Sequence, residues 1–170
     1  MIKKLGICCF LLILGIGISA QDADMVGEIL SQKTASVMDF SYLVASATGM
    51  DCNPFEAYTY CDRFGSFNFV KAANDPVTVQ VVSHFFMNNY GLKGGFEWDL
   101  THSRRSAWKN LKSLGFWESG IDPEGRISGR DLIMDVNRFF SWYPGIQLRK
   151  IPAKEASKGY YTLLLNKKVE

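Results

Sequence analysis

The chain repeats itself, and that limits what it can fold into more than any other feature of its 170 residues. Residues 36–50 (SVMDFSYLVASATGM) align without a gap on residues 78–92 (TVQVVSHFFMNNYGL) at an offset of 42. A third stretch, residues 128–142 (SGRDLIMDVNRFFSW), follows at an offset of 50 from the second. Apolar residues fall in step. Phe40, Val82 and Leu132 lie four places past the opening Ser or Thr, Val44, Phe86 and Val136 eight past, and Met50, Leu92 and Trp142 fourteen past. That spacing lines one face of a helix. Ser36, Thr78 and Ser128 read as N-caps, and Asp39 and Asp131, three residues on, complete capping boxes in two of the three. Gly49 and Gly91 stand where a helix ends on a left-handed residue.

A second helix type precedes the later two stretches. Residues 54–67 (PFEAYTYCDRFGSF) match residues 104–117 (RRSAWKNLKSLGFW), again at an offset of 50. Ala57 pairs with Ala107, Tyr58 with Trp108, Cys61 with Leu111, Phe64 with Leu114, Gly65 with Gly115 and Phe67 with Trp117. The unit is helix, glycine stop, a loop of about a dozen residues and a capped helix. The expected fold class is therefore mainly α: divergent helix-loop-helix repeats sharing one core over residues 34–142. Past Pro144 the pattern changes. Residues 146–151 (IQLRKI) and 160–166 (YYTLLLN) are strand-like runs, so residues 143–170 read as a short β-like hairpin or tail, with an amphipathic helix as the competing reading.

The first twenty residues have Lys3 and Lys4, then an apolar run, then Ala20 before a polar acidic segment, the form of a cleaved secretory signal. The run is short for a membrane span, which wants about 20 apolar residues. Residues 1–20 thus read as a signal peptide, 21–33 as an N-terminal segment, and the localisation as exported, in the periplasm or cell envelope, with no stable span after cleavage. Lipidation at Cys8 is disfavoured because Leu5-Gly6-Ile7 lacks a small residue before the cysteine. Of 19 basic residues, Lys3 and Lys4 leave with the signal, and the remaining 17 balance 17 acidic ones. Residues 21–99 carry ten acids and four bases; residues 100–170 carry seven and thirteen. The asymmetry favours attraction between the halves or a basic face for an envelope partner over nucleic-acid binding.

Two cysteines remain after the signal. In an oxidising compartment Cys52 and Cys61 invite a disulfide. Asn53-Pro54 reads as a cap and first helical residue, which puts Cys61 about 10 Å up the helix, whereas a bridge needs α-carbons within about 7 Å. Either the helix starts later, or Cys61 is a buried thiol and Cys52 a loop thiol. His84 and His102 sit at no metal-ligand spacing from either, so no metal and no cofactor is expected. The loop at residues 120–131 has the acids of a calcium loop at several positions, but Gly120 opens it and Asp131 closes it, so a turn and a capping box is the preferred reading. Glu97, Asp99, His102 and Ser103 lie close in sequence, yet no motif of nucleophile, zinc or phosphate chemistry surrounds them. That segment reads as a connector, with Thr101 or Ser103 capping the next helix, and the chain reads as non-catalytic; a hydrolase using Glu97 or Asp99 is the least favoured alternative.

The segments 107–115 (AWKNLKSLG), 120–125 (GIDPEG) and 127–132 (ISGRDL) resemble the S-layer homology module. This is a helix-loop-helix repeat of about this length, with which exported bacterial proteins hold cell-wall polymers. In that family an Ala-x-x-x-Leu-x-x-x-Gly stop leads through a Gly- and Pro-containing loop to an Ile-Thr-Arg-Ala-Glu-Phe helix start. Ser128 and Asp131 fit the threonine and glutamate positions; Gly129 stands at the arginine position, with Arg130 one place later. The resemblance implies a cell-wall glycan, polymer or peptidoglycan partner bound at the loop-to-helix junctions. Ser128 and Arg130 are the matching residues there. Arg104 and Arg105 open a helix, the end that disfavours cations unless an anion is near, and Trp108 offers a ring that can stack on a sugar. The alternative is an interaction module of the envelope that docks a protein through its repeat surface or C-terminal edge.

Overall fold

The computed structural model describes residues 23–62, 65–90 and 92–142. The signal sequence, the C-terminal run from 143, Phe64 and the Gly91 stop lie outside the described residues. The described part is mainly helical. Helix α1 covers residues 23–31 and is followed by α2 (Val37–Ala47), α3 (Pro54–Asp62), α4 (Val79–Asn89), α5 (Phe96–Thr101), α6 (Arg104–Ser113) and α7 (Gly129–Trp142). There is no strand among the described residues, only two isolated antiparallel bridges, Ser36 with Pro76 and Thr78 with Arg126. Within the segment read as a connector, residues 96–101 form α5, and Ser103 caps α6 through a reciprocal pair with Ser106.

Those bridges belong to a closed arrangement. The residues just before the three caps are Ala35, Val77 and Ile127. The Ala35 amide donates to the Ile127 carbonyl (2.9 Å), the Ile127 amide to the Val77 carbonyl (3.2 Å), and the Val77 amide to the Ala35 carbonyl (2.9 Å). Extended backbone at each helix entry points N–H and C=O to opposite sides, so each segment serves both neighbours and no edge is left over. The helix ends are then capped across the ring. Val37 and Met38 donate to the Asp75 and Ala73 carbonyls, Val79 and Gln80 to those of Gly125 and Pro123, and Gly129 to that of Gln32. These are the amides that a helix start cannot satisfy within itself.

The helices stop as the sequence signals. Gly49 (φ 77°) and Gly115 (φ 79°) are left-handed. After each, two backbone bonds close the last turn: Gly49 to Ser46 and Met50 to Ala45, and Gly115 to Lys112 and Phe116 to Leu111. A different constraint holds Gly129. A Cβ there would fall 1.6 Å from the Ile29 carbonyl oxygen, because the end of α1 crosses the start of α7.

Helix α3 lies on α2, α6 on α4, and α7 on α2. The six stripe positions Phe40, Val82, Leu132, Val44, Phe86 and Val136 are all buried. So are Ala57, Ala107, Cys61, Leu111, Phe67 and Trp117 of the second helix type. The centre is aromatic: Phe86 stacks on Phe139 at 3.6 Å, and Phe40 meets Phe85 edge-on at 5.1 Å. Each such ring contributes about 1.5–3 kcal/mol on burial. Three expectations need adjusting. Ile29 is fully buried, so the core extends into the N-terminal segment. Leu114 is 46% exposed, since it stands at the C-cap of α6. Trp142 is 39% exposed, because Ser141 stands where Gly49 ends α2, and α7 runs on without turning inward.

Candidate functional site

Five residues were singled out by sequence, and they lie on two separate elements. On α6, Arg104 is half-buried with its guanidinium 4.5 Å above the Phe69 ring, and Arg105 is exposed. Trp108 is half-buried, with the Lys112 ammonium 5.1 Å from its ring and its own indole N–H buried without an acceptor among the described residues. At the start of α7, Ser128 accepts from the Asp131 amide (3.2 Å) and donates to the Asp131 carboxylate (2.6 Å), and Arg130 is exposed. Ser128 therefore acts as a helix cap, and Asp131 is its partner.

Helix α3 starts at Pro54, with Asn53 and Glu56 exchanging cap hydrogen bonds. Cys61 is therefore far up the helix, a buried thiol 3.9 Å from the Ser41 carbonyl, and Cys52 is a half-buried thiol. The acids and histidines near residue 100 are also placed by local structure. Glu97 pairs with Lys109 at 2.9 Å, and the His102 carbonyl meets His84 Nε2 at 3.1 Å. Burial pushes the His84 pKa below its ordinary value, helped by the nearby Arg104 and His102. In the acidic loop at residues 120–131, Asp122 accepts from the Glu124 amide in a turn.

A groove of about 360 Å³ opens where the loop after α6 meets the starts of α4 and α7. Its apolar wall includes Val79, Trp117, Ile121, Ile127 and Met134. The polar wall carries Glu118, Asp122, Asp131 and Asp135, with Arg126 and Arg138 among them. The Trp117 indole donates 2.7 Å to Ser83, which fixes the wall beneath. Arg138 pairs with Asp135 at 2.8 Å and lies 4.5 Å above the Phe116 ring. Burial pushes the Asp135 pKa up to about 6, and Asp131 adds to the rise while Arg138 opposes it. A carboxyl whose pKa is perturbed by burial and a charged partner, lining a groove, is a common feature of binding sites. Guanidinium donors beside carboxylate acceptors suit a polyhydroxylated ligand, whose groups both donate and accept.

None of the five residues chosen from sequence lines this groove. Arg126, Asp135 and Arg138 were missed. For Asp135 and Arg138 the signal was present in the α7 spacing 131, 135, 138, a polar stripe beside the apolar one, which matching on apolar positions alone passes over; Arg126, in the loop before the helix, carried no such signal. Searches of protein families, curated proteins and solved structures find no match to this chain. Among the described residues no helix is long and apolar enough to cross a membrane.

Proposed function

We propose that this chain is an exported, non-catalytic envelope module of three divergent helix-loop-helix copies, similar to S-layer homology modules, that holds cell-wall glycan or polymer at a junction between copies. The observation that carries the reading is the ring of Ala35, Val77 and Ile127, in which three equivalent sequence positions make equivalent bonds to one another. The groove of Arg126, Asp135 and Arg138 lies beside the ring, where Val79 and Ile127 line it. Its four carboxylates favour a neutral or zwitterionic sugar over a strongly anionic one. Gly129, at the position of the family arginine, leaves recognition to Arg126 and Arg138.

The test is co-sedimentation of residues 21–170 with sacculi that keep or have lost their attached polymers. Pelleting with polymer-bearing sacculi, reduced at least tenfold by Arg126→Ala with Arg138→Gln, is expected. Protein left in the supernatant with both preparations rejects the reading, and undiminished pelleting of the double variant rejects the groove. A second reading, docking of an envelope protein, is favoured by Phe96 and Leu100, 83% and 71% exposed one turn apart on α5. A stoichiometric partner lost on Phe96→Ser would decide for it.

A further inference from the structure

Helices α5 and α6 together present an outward surface that shares no residue with the groove. On α5, Trp98 is buried, and Phe96 and Leu100, two residues to either side of it, fall on the opposite face of the helix, 83% and 71% exposed. One flank of α5 is fastened to α6. Glu97 pairs with Lys109 at 2.9 Å, the Thr101 hydroxyl donates to that of Ser106 at 3.0 Å, and the Asn110 side chain accepts from the Gly95 amide at 3.0 Å and donates to the Lys93 carbonyl at 3.3 Å. Helix α6 buries Ala107 and Leu111, which leaves Arg105 and Lys109, one turn apart, on the face turned away from the core. The apolar pair of one helix therefore lies alongside the cations of the other, held there by the bonds between them.

Charge and shape narrow what can cover such a surface. Residues 93–112 carry five basic residues and two acidic ones. Lys93 and Arg105 are exposed and make no ion pair among the described residues. The pair of Lys109 with Glu97 is about half-exposed on both sides, so it is weak and leaves the ammonium able to meet a second anion. Asp99, the other acid of the stretch, lies on the flank of α5 away from α6. Phe96 and Leu100 project at this exposure, and a protein partner would need a matching hollow for them. A fluid lipid interface closes around such projections without one, and anionic headgroups meet the flanking cations.

We propose that this α5–α6 face is a peripheral docking surface for an anionic lipid bilayer, with Phe96 and Leu100 entering the headgroup layer and Lys93, Arg105 and Lys109 lying against its charge. The proposal does not rest on the glycan reading of the groove.

The test is co-sedimentation of residues 21–170 with vesicles of phosphatidylcholine alone, or of phosphatidylcholine and phosphatidylglycerol in equal parts. No glycan is present, so failure here and failure on sacculi are distinguishable. The expected result is binding to the mixed vesicles that falls as salt is raised, with little binding to phosphatidylcholine alone. Phe96→Ser with Leu100→Ser, and separately Lys93→Glu with Arg105→Glu, should each weaken it at least tenfold. All four side chains are exposed, so the urea midpoints of both variants should match the parent's. Equal binding to both kinds of vesicle, or binding undiminished in either double variant, overturns the proposal; the second result would place the contact on basic residues or apolar groups elsewhere in the chain. Absence of vesicle binding also overturns it, and a stoichiometric protein partner or a self-association lost on Phe96→Ser would then name the occupant.

Discussion

At the scale of single residues, the least expected feature is Asp135. Its side chain is 15% exposed and it has one cationic partner among the described residues, yet burial outweighs that partner and raises its pKa to about 6. A carboxyl whose pKa is higher folded than unfolded binds more protons in the native state between the ordinary value of 3.8 and about 6. Its effect on folding is therefore neutral below that window, grows increasingly unfavourable across it, and stays constant above about 6, where a charge must stay buried. Asp135→Asn removes the charge and keeps an acceptor for Arg138. We expect the variant to be more stable than the parent by on the order of 1 kcal/mol at pH 7.5, less than the full shift because the amide oxygen is a weaker acceptor for Arg138 than the carboxylate. At pH 3, below the window, the two should be equal. Urea midpoints at both pH values check this, and a variant less stable at pH 7.5 would mean that the pair with Arg138 outweighs burial. Gly129 makes the opposite point about legibility. Sequence showed only a departure from a motif, whereas the structure supplies the cause, the α1 backbone against its Cα.

At the scale of elements, caps that look alike in sequence are built in two ways. Ser36 and Asp39 form the full reciprocal box. Thr78 makes no side-chain cap bond, and its hydroxyl is buried without a partner among the described residues, because Val79 and Gln80 already donate to carbonyls of the loop before α7. Ser36→Ala should cost about 1 kcal/mol. Thr78→Val should cost nothing measurable or stabilise slightly, since a buried hydroxyl with no acceptor is replaced by a methyl of similar shape. Chemical denaturation of both variants measures the contrast; equal losses would show that the Thr78 hydroxyl has a partner in solution. Helix starts, glycine stops and the buried stripe were legible because capping and periodicity are local. Helix α5 was not, being a short segment whose Trp98 is buried by tertiary packing. Nor was the groove, because it combines a loop with two helices whose adjacency no local rule states. The expected β-like tail lies outside the described residues.

At the scale of the whole molecule, the ring joins parts of the chain that are far apart in sequence. Ala35 and Ile127 are 92 positions apart, and they meet directly. One cluster of buried residues runs from Ile29 to Phe139 beneath them. A solenoid, in which each repeat touches only its neighbours, would let an end repeat fray by itself. A closed ring has no end segment, so opening any one of its bonds strips two helix starts of backbone partners at once. The amides of Ala35, Val77 and Ile127 should therefore exchange with solvent deuterium only through global unfolding, with one shared free energy equal to that from urea denaturation. Exposed first-turn amides, such as that of Arg105, should exchange orders of magnitude faster. Hydrogen exchange read residue by residue by nuclear magnetic resonance, in increasing urea, measures this directly. If Ala35 exchanged with a clearly lower free energy than Val77, the N-terminal side would be opening as a separate unit, and the ring would be three adjacent contacts with no shared cooperativity.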